Sequence, residues 1–237
     1  VPNSYFQFKQ FRIDQSASAM KVTTEGCLFG AWVGTVCKAP RTVLDVGTGT
    51  GLLSLMLAQA NSTAQIDAVE VDGPAATEAQ ANFEACPWHE RIQMIITDVQ
   101  SFTNSQRYDL IIVNPPFYNQ SQRSDSKSIN RARHDAELIQ PDLVDALCRL
   151  LHEEGEAFVL YPVREAKQFA DLAMGSGLYL QRALQVYDSP GALPFRVMGQ
   201  YGYRQVDPVV EDFYIKTGDG GYTPGFVKLL KDFYLHL

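Results

Sequence analysis

From residue 41 onward, short apolar runs alternate with longer stretches of helical period, an order that few folds accommodate. Residues 42–46 read as a buried strand, 51–61 as a helix, 65–71 as a strand and 74–85 as a helix rich in Ala, Glu and Gln. That sequence of elements is a βαβ unit. Residues 92–97 and 109–113 are further strand candidates, and 141–152 place Leu143, Val144, Leu147, Leu150 and Leu151 on one helical face ahead of a strand at 157–161. Parallel strands joined by crossover helices follow, the doubly wound α/β class. In the tail, 178–187, 196–205 and 211–217 read as strands with no long helix between the last two, which implies an antiparallel edge; 218–221 is a turn. The expected fold is therefore α/β, a Rossmann-like doubly wound sheet of seven strands, mostly parallel with an antiparallel edge strand. Residues 1–40 are expected to form an N-terminal arm and a helix covering the site, capped by Thr23 or Thr24 and running to about Cys37, with 41–237 as the main domain.

Composition removes several classes of function. At 237 residues the chain can bury a full core without staples. Cys27, Cys37, Cys86 and Cys148 stand far apart with no C-x-x-C and no paired histidines, so neither a disulfide framework nor a metal site is expected. Asp and Glu outnumber Lys and Arg by 27 to 20, and a net charge of −7 argues against coating nucleic acid through bulk charge. No run approaches the roughly 18 apolar residues of a membrane span, and residues 1–10 lack the basic-then-apolar layout of a secretion signal. A cytoplasmic protein is expected, and the lack of a heptad stripe favours a monomer.

The first strand runs into Asp45-Val46-Gly47-Thr48-Gly49-Thr50-Gly51. Gly47, Gly49 and Gly51 let the backbone turn sharply and approach a ligand at the carboxyl edge of the sheet. The spacing is not that of the dinucleotide fingerprint, because Leu52 stands where its third glycine belongs, and no lysine is present for a triphosphate cradle. Asp45 is unfavourable beside a pyrophosphate and favourable beside a cation such as the ammonium of an amino-acid moiety. S-adenosylmethionine carries that group together with a sulfonium. Glu70, at the next strand end, is placed to accept from ribose hydroxyls, and its alternative is a surface acid opening a loop. Asp98, followed by Val99, ends the third strand, placed to accept from an adenine amino group or else to cap a turn. Acids at successive strand tips above one glycine loop favour the cofactor reading.

The fourth strand stops at Asn114-Pro115-Pro116-Phe117-Tyr118. Two prolines cannot continue a central strand, so the chain leaves the sheet at the same edge. Asn114 then offers its side-chain oxygen and Pro115 its carbonyl as fixed acceptors, with Pro116 locking the backbone. Two acceptors on the N–H bonds of an aromatic amine draw its nitrogen towards tetrahedral geometry and aim the lone pair at a methyl sulfonium. Phe117, with Tyr118, can stack on a flat base.

These two motifs in this order resemble the class I S-adenosylmethionine-dependent methyltransferases, in which D-x-G-x-G-x-G binds the cofactor and N-P-P-[FYW] holds an amino nitrogen. The arm segments Phe8-Lys9-Gln10-Phe11, Ala19-Met20-Lys21-Val22-Thr23-Thr24-Glu25-Gly26 and Leu28-Phe29-Gly30-Ala31-Trp32 are similar to the start of the bacterial valine-tRNA adenine-N6-methyltransferases. That resemblance implies N6-methylation of the adenine next to the anticodon, with Lys21 and its neighbours lying over the cofactor and substrate pocket. With the strand-end acids included, the candidate cofactor residues are Asp45, Gly47, Gly49, Gly51, Glu70, Asp98, Val99 and Asn114, and the candidate catalytic residues are Asn114, Pro115, Pro116 and Phe117.

Residues 119–134 carry Arg123, Lys127, Arg131 and Arg133 against Asp125, a local +3 within a −7 chain. With Lys21, Phe117 and Tyr118 these arginines are the candidate tRNA contacts; Lys9, Arg12, Lys228 and Lys231 could extend the track. The same amino-group chemistry would serve guanine N2 in ribosomal RNA, adenine N6 in DNA or a protein glutamine, and a non-catalytic nucleoside-binding domain is the remaining alternative.

Overall fold

The computed structural model describes residues 3–18, 20–115 and 138–237. Two short strands, β1 (Tyr5–Gln7) and β2 (Arg12–Asp14), pair as an antiparallel hairpin ahead of helix α1 (Thr24–Val36). Then follow β3 (Thr42–Val46), α2 (Leu52–Ala60), β4 (Gln65–Glu70), α3 (Gly73–Glu84), β5 (Ile92–Ile96) and β6 (Tyr108–Val113). The chain continues with α4 (Gln140–Leu150), β7 (Leu151–Tyr161), α5 (Val163–Gly175), β8 (Tyr179–Tyr187), β9 (Arg196–Gly202), β10 (Val209–Tyr214) and α6 (Pro224–Leu230).

The main sheet has the order β10-β8-β9-β7-β6-β3-β4-β5, with β9 antiparallel to both its neighbours and every other pair parallel. This is the doubly wound α/β architecture that the alternation implies. Among the described residues the sheet has eight strands rather than seven, because β10 joins in parallel beyond β8. The antiparallel strand β9 lies inside the sheet, not at its edge. The crossover through α5 carries β8 past an open slot, and β9 turns back from β8 to fill it.

Both faces of the sheet are covered, so its central strands are apolar on both sides. Val43, Leu110 and Ile112 face a core shared with α1, α2, the hairpin and α6. Leu44, Val46, Ile111 and Val113 face a second core shared with α4 and α5. Thr23 caps α1, accepting from Gly26 N–H at 3.1 Å. The helix then packs closely on α2 because Gly30 has no side chain: a Cβ there would stand 2.9 Å from Met56 Sδ. The start of the chain is tied to its end, with Lys9 N–H donating to the Phe233 carbonyl at 2.8 Å and Phe8 bridging Tyr234.

Strand order reverses between β3 and β6. The chain winds outward through β4 and β5 on one side and through β6 and β7 on the other. Such a switch point opens a crevice at the carboxyl ends of the two strands. Val46 stands opposite Val113, so the glycine turn and Asn114 leave the sheet side by side.

Candidate active site

Gly47 N–H and Thr48 N–H both donate to the Val69 carbonyl, at 2.8 and 3.1 Å, which folds the glycine turn back over β4. Gly47, Gly49 and Gly51 have φ of +68°, +55° and +84°, where side chains are strained. Their surroundings differ. Among the described residues, a Cβ on Gly47 would meet nothing within 4 Å, and one on Gly49 only the Gly47 carbonyl at 4.0 Å, whereas one on Gly51 would clash with the Phe83 ring. The first two glycines thus line open space, and the third lets α2 begin against α3.

Asp45 is fully buried at the end of β3. Its Oδ2 accepts from Thr48 Oγ1 at 2.7 Å, Ser54 Oγ at 2.7 Å and Ser54 N–H at 3.1 Å, while Oδ1 is buried with no partner among the described residues. Burial pushes its carboxyl up to about 6, opposed by the bonds from Thr48 and Ser54 and reinforced by the nearby Glu70 charge.

Glu70 closes the turn from the neighbouring strand. Oε2 accepts Gly49 N–H at 3.0 Å, and Oε1 accepts Val71 and Asp72 N–H at 2.9 and 3.0 Å. Since a carboxylate offers about four acceptor positions, one remains for a hydroxyl without breaking these bonds. Asp98 makes the bonds of a turn cap: Oδ1 takes Ser101 N–H at 2.7 Å and Oδ2 takes Ser101 Oγ at 2.8 Å, which hold its carboxyl below the ordinary value. Val99 turns its side chain into the core shared with α4.

Asn114 lies between the glycine turn and the arm. Its Nδ2 donates to Met20 Sδ at 3.7 Å, and its Oδ1 is buried with no partner among the described residues. Pro115 beside it is buried. The further sequence candidates Pro116, Phe117, Tyr118, Arg123, Lys127, Arg131 and Arg133 fall outside the described residues. Lys21 Nζ is bonded to the Gln15 carbonyl, Arg12 pairs with Asp14 while stacking 4.1 Å over the Tyr5 ring, and Lys9 Nζ reaches the Lys231 carbonyl. Lys9, Arg12 and Lys21 are therefore engaged within the chain.

What sequence reasoning missed is the anchorage of the arm. Glu78 on α3 accepts Ser16 Oγ, Ala17 N–H and Ser18 N–H at 2.9, 2.6 and 3.0 Å. One turn on, Asn82 binds Asp14 and the Thr50 carbonyl of the glycine turn. Gln15 Oε1 accepts Val22 N–H at 2.8 Å. The available signal was the i, i+4 spacing of Glu78 and Asn82 on an otherwise alanine-lined face. Among the described residues no group of three His, Cys, Asp or Glu side chains could hold a metal ion, and no helix is long and apolar enough to cross a membrane.

Known proteins resemble the chain in fold and in sequence. Residues 33–140 match the model of the methyltransferase small domain. A predicted O-methyltransferase of Agrobacterium tumefaciens superposes with a TM-score of 0.66 at 15% identity, covering 87% of this chain and 95% of that one. The tRNA1(Val) (adenine(37)-N6)-methyltransferase of Dyadobacter fermentans is 43% identical over 98% of both chains, and that of Cytophaga hutchinsonii 39% identical over 100% of both. Identity at this level over the full length, arm included, makes the chain a member of the tRNA1(Val) (adenine(37)-N6)-methyltransferase family.

Proposed function

We propose that the protein transfers a methyl group from S-adenosylmethionine to N6 of an adenine in tRNA, adenine 37 of a valine tRNA as in the names of its relatives. The observation that carries this reading is a pair of buried acceptor oxygens with no partner among the described residues, Asp45 Oδ1 and Asn114 Oδ1, at the ends of the two strands that flank the switch point. Orphaned buried acceptors are costly, and a ligand with donors at both places relieves them.

The residues fit the cofactor. Asp45 supplies an anion for an ammonium group, Gly47 and Gly49 leave room where a Cβ would intrude, and Glu70 retains one acceptor position for a ribose hydroxyl. Asp98 can accept from the adenine amino group through its remaining lone pairs, with Val99 fixing the floor beside it. Bound S-adenosylmethionine supplies an electrophilic methyl group on a sulfonium.

Asn114 Oδ1 and the Pro115 carbonyl accept the two N–H bonds of the target amine and orient its lone pair. Pro115 and Pro116 keep those acceptors fixed, and Phe117 with Tyr118 stacks on the base. No general base is required, because the amine becomes a strong acid only as it is methylated and its proton leaves late. Arg123, Arg131 and Arg133 contact phosphates, and Lys21 joins them with the donors its bond to Gln15 leaves free. This reading takes the reaction to be cytoplasmic, as suits a tRNA substrate, and the protein to act as a monomer, since the proposed groups lie on one chain.

The test is methyl transfer from labelled S-adenosylmethionine to unmodified tRNA, ribosomal RNA, DNA and protein in parallel, with nucleoside analysis of the labelled product. N6-methyladenosine in tRNA is expected. Label in another acceptor overturns the substrate, and no label with cofactor bound overturns the reaction.

A further inference from the structure

The carboxamide of Asn114 must present its oxygen, not its nitrogen, to an amine. Its two orientations have nearly the same shape, so packing alone does not choose between them; only the polarity of the neighbours does. The neighbour on the nitrogen side is Met20 Sδ, 3.7 Å from Nδ2. A thioether sulfur accepts weakly and cannot donate, so it favours N–H and repels a carbonyl oxygen. The first turn of α1 closes the same flank: a Cβ on Gly26 would stand 3.9 Å from Asn114 Nδ2. The end left buried, with no partner among the described residues, is Oδ1.

Met20 is held in that place from both sides. Glu78 grips Ser16, Ala17 and Ser18 before it, and Gln15 grips Lys21 and Val22 after it. Met20 as a whole is 37% exposed, so filling the core does not account for it.

We infer that Met20 is a positioning residue for methyl transfer, its Sδ holding the Asn114 carboxamide so that Oδ1 faces the substrate amine. The inference rests on the role proposed above for Asn114. Met20→Leu keeps the apolar volume and removes the acceptor. Single-turnover methylation, KM for the acceptor, cofactor affinity by calorimetry and Tm are compared with the unaltered protein, in which the Asn114 side-chain N–H protons are also tested for an NMR contact with the Met20 methyl.

The expected result is a rate loss of about two- to fivefold, the worth of one weak hydrogen bond, with KM, cofactor affinity and Tm unchanged and the NMR contact present. An unchanged rate, a loss seen in affinity or Tm instead, or amide protons remote from Met20 overturns the assignment. If the unaltered protein methylates no acceptor, the proposed reaction falls, while the NMR contact still reports which way the carboxamide lies.

Discussion

Asn82 engages both backbone polar groups of Asp14: Asp14 N–H donates to Asn82 Oδ1 at 2.9 Å, and Asn82 Nδ2 donates to the Asp14 carbonyl at 2.8 Å. The same Nδ2 donates to the Thr50 carbonyl at 3.0 Å, so one buried amide joins the arm, α3 and the glycine turn. It thereby couples the segment over the site to the loop beneath it.

Asn82→Ala removes the partner of the buried Thr50 carbonyl and of two partly buried backbone groups of Asp14, at a cost of about 1–3 kcal/mol. Asn82→Asp is expected to be no better, because a carboxylate would face the Asp14 and Thr50 carbonyls where the amide donated. Both variants should lower Tm and weaken S-adenosylmethionine binding in calorimetry. Unchanged affinity with lowered Tm would confine Asn82 to stability.

Much of this organisation was legible in the sequence, and the exceptions have a common cause. The strand at residues 42–46, a helix capped by Thr23 or Thr24 and the exit of the glycine turn and Asn114 at one sheet edge follow from local pattern; that Thr23 is the cap and that the two exits are neighbours come from the folded arrangement. The hairpin of β1 and β2 does not follow from local pattern either, since its short strands hold together through Phe8, Phe11 and Tyr234, whose rings meet across the two ends of the chain. Asp98 was open to two readings because the same acid can cap a turn and receive a ligand; its bonds to Ser101 show the cap. Glu78 and Asn82 look like ordinary helix polar residues until residues 14–18 are laid on them.

Asp45 is expected to trade stability for binding. Burial raises its carboxyl to about 6, so the native chain holds that proton more tightly than the unfolded one. The stabilisation is present at low pH and lost as pH rises through about 6, leaving a cost at pH 7 on the order of 1–3 kcal/mol. Asp45→Asn should therefore raise Tm at pH 7 to 8, with the gain closing towards pH 4, while abolishing S-adenosylmethionine binding. In the unaltered protein, affinity for the cofactor should fall below about pH 6, by up to about tenfold per pH unit. Calorimetry across pH 5 to 8 checks both; a flat profile would separate Asp45 from the cation.

Asn114→Ala removes the acceptor and leaves Asp45, Glu70 and the glycine turn in place. Cofactor affinity should stay within about threefold of the unaltered protein, and kcat should fall by on the order of 100-fold or more, as when a positioned transition-state partner is lost. A loss expressed in affinity, with kcat preserved, would move Asn114 from the chemistry to the cofactor.

The two kinds of glycine in the turn should part company on substitution. Gly51→Ala meets both a φ of +84° and the ring of Phe83, which is itself buried and cannot swing aside. The strain alone costs about 1–2 kcal/mol and the clash adds more. Phe83→Leu in the same chain should recover the clash and not the strain, which a thermal melt of the single and double variants resolves. Gly47→Ala carries the strain without a clash, because none of the described residues lies within 4 Å of its Cβ. Its chain should fold with a Tm only a few degrees lower and bind S-adenosylmethionine poorly, since the methyl group then occupies the space that the turn keeps open for ligand.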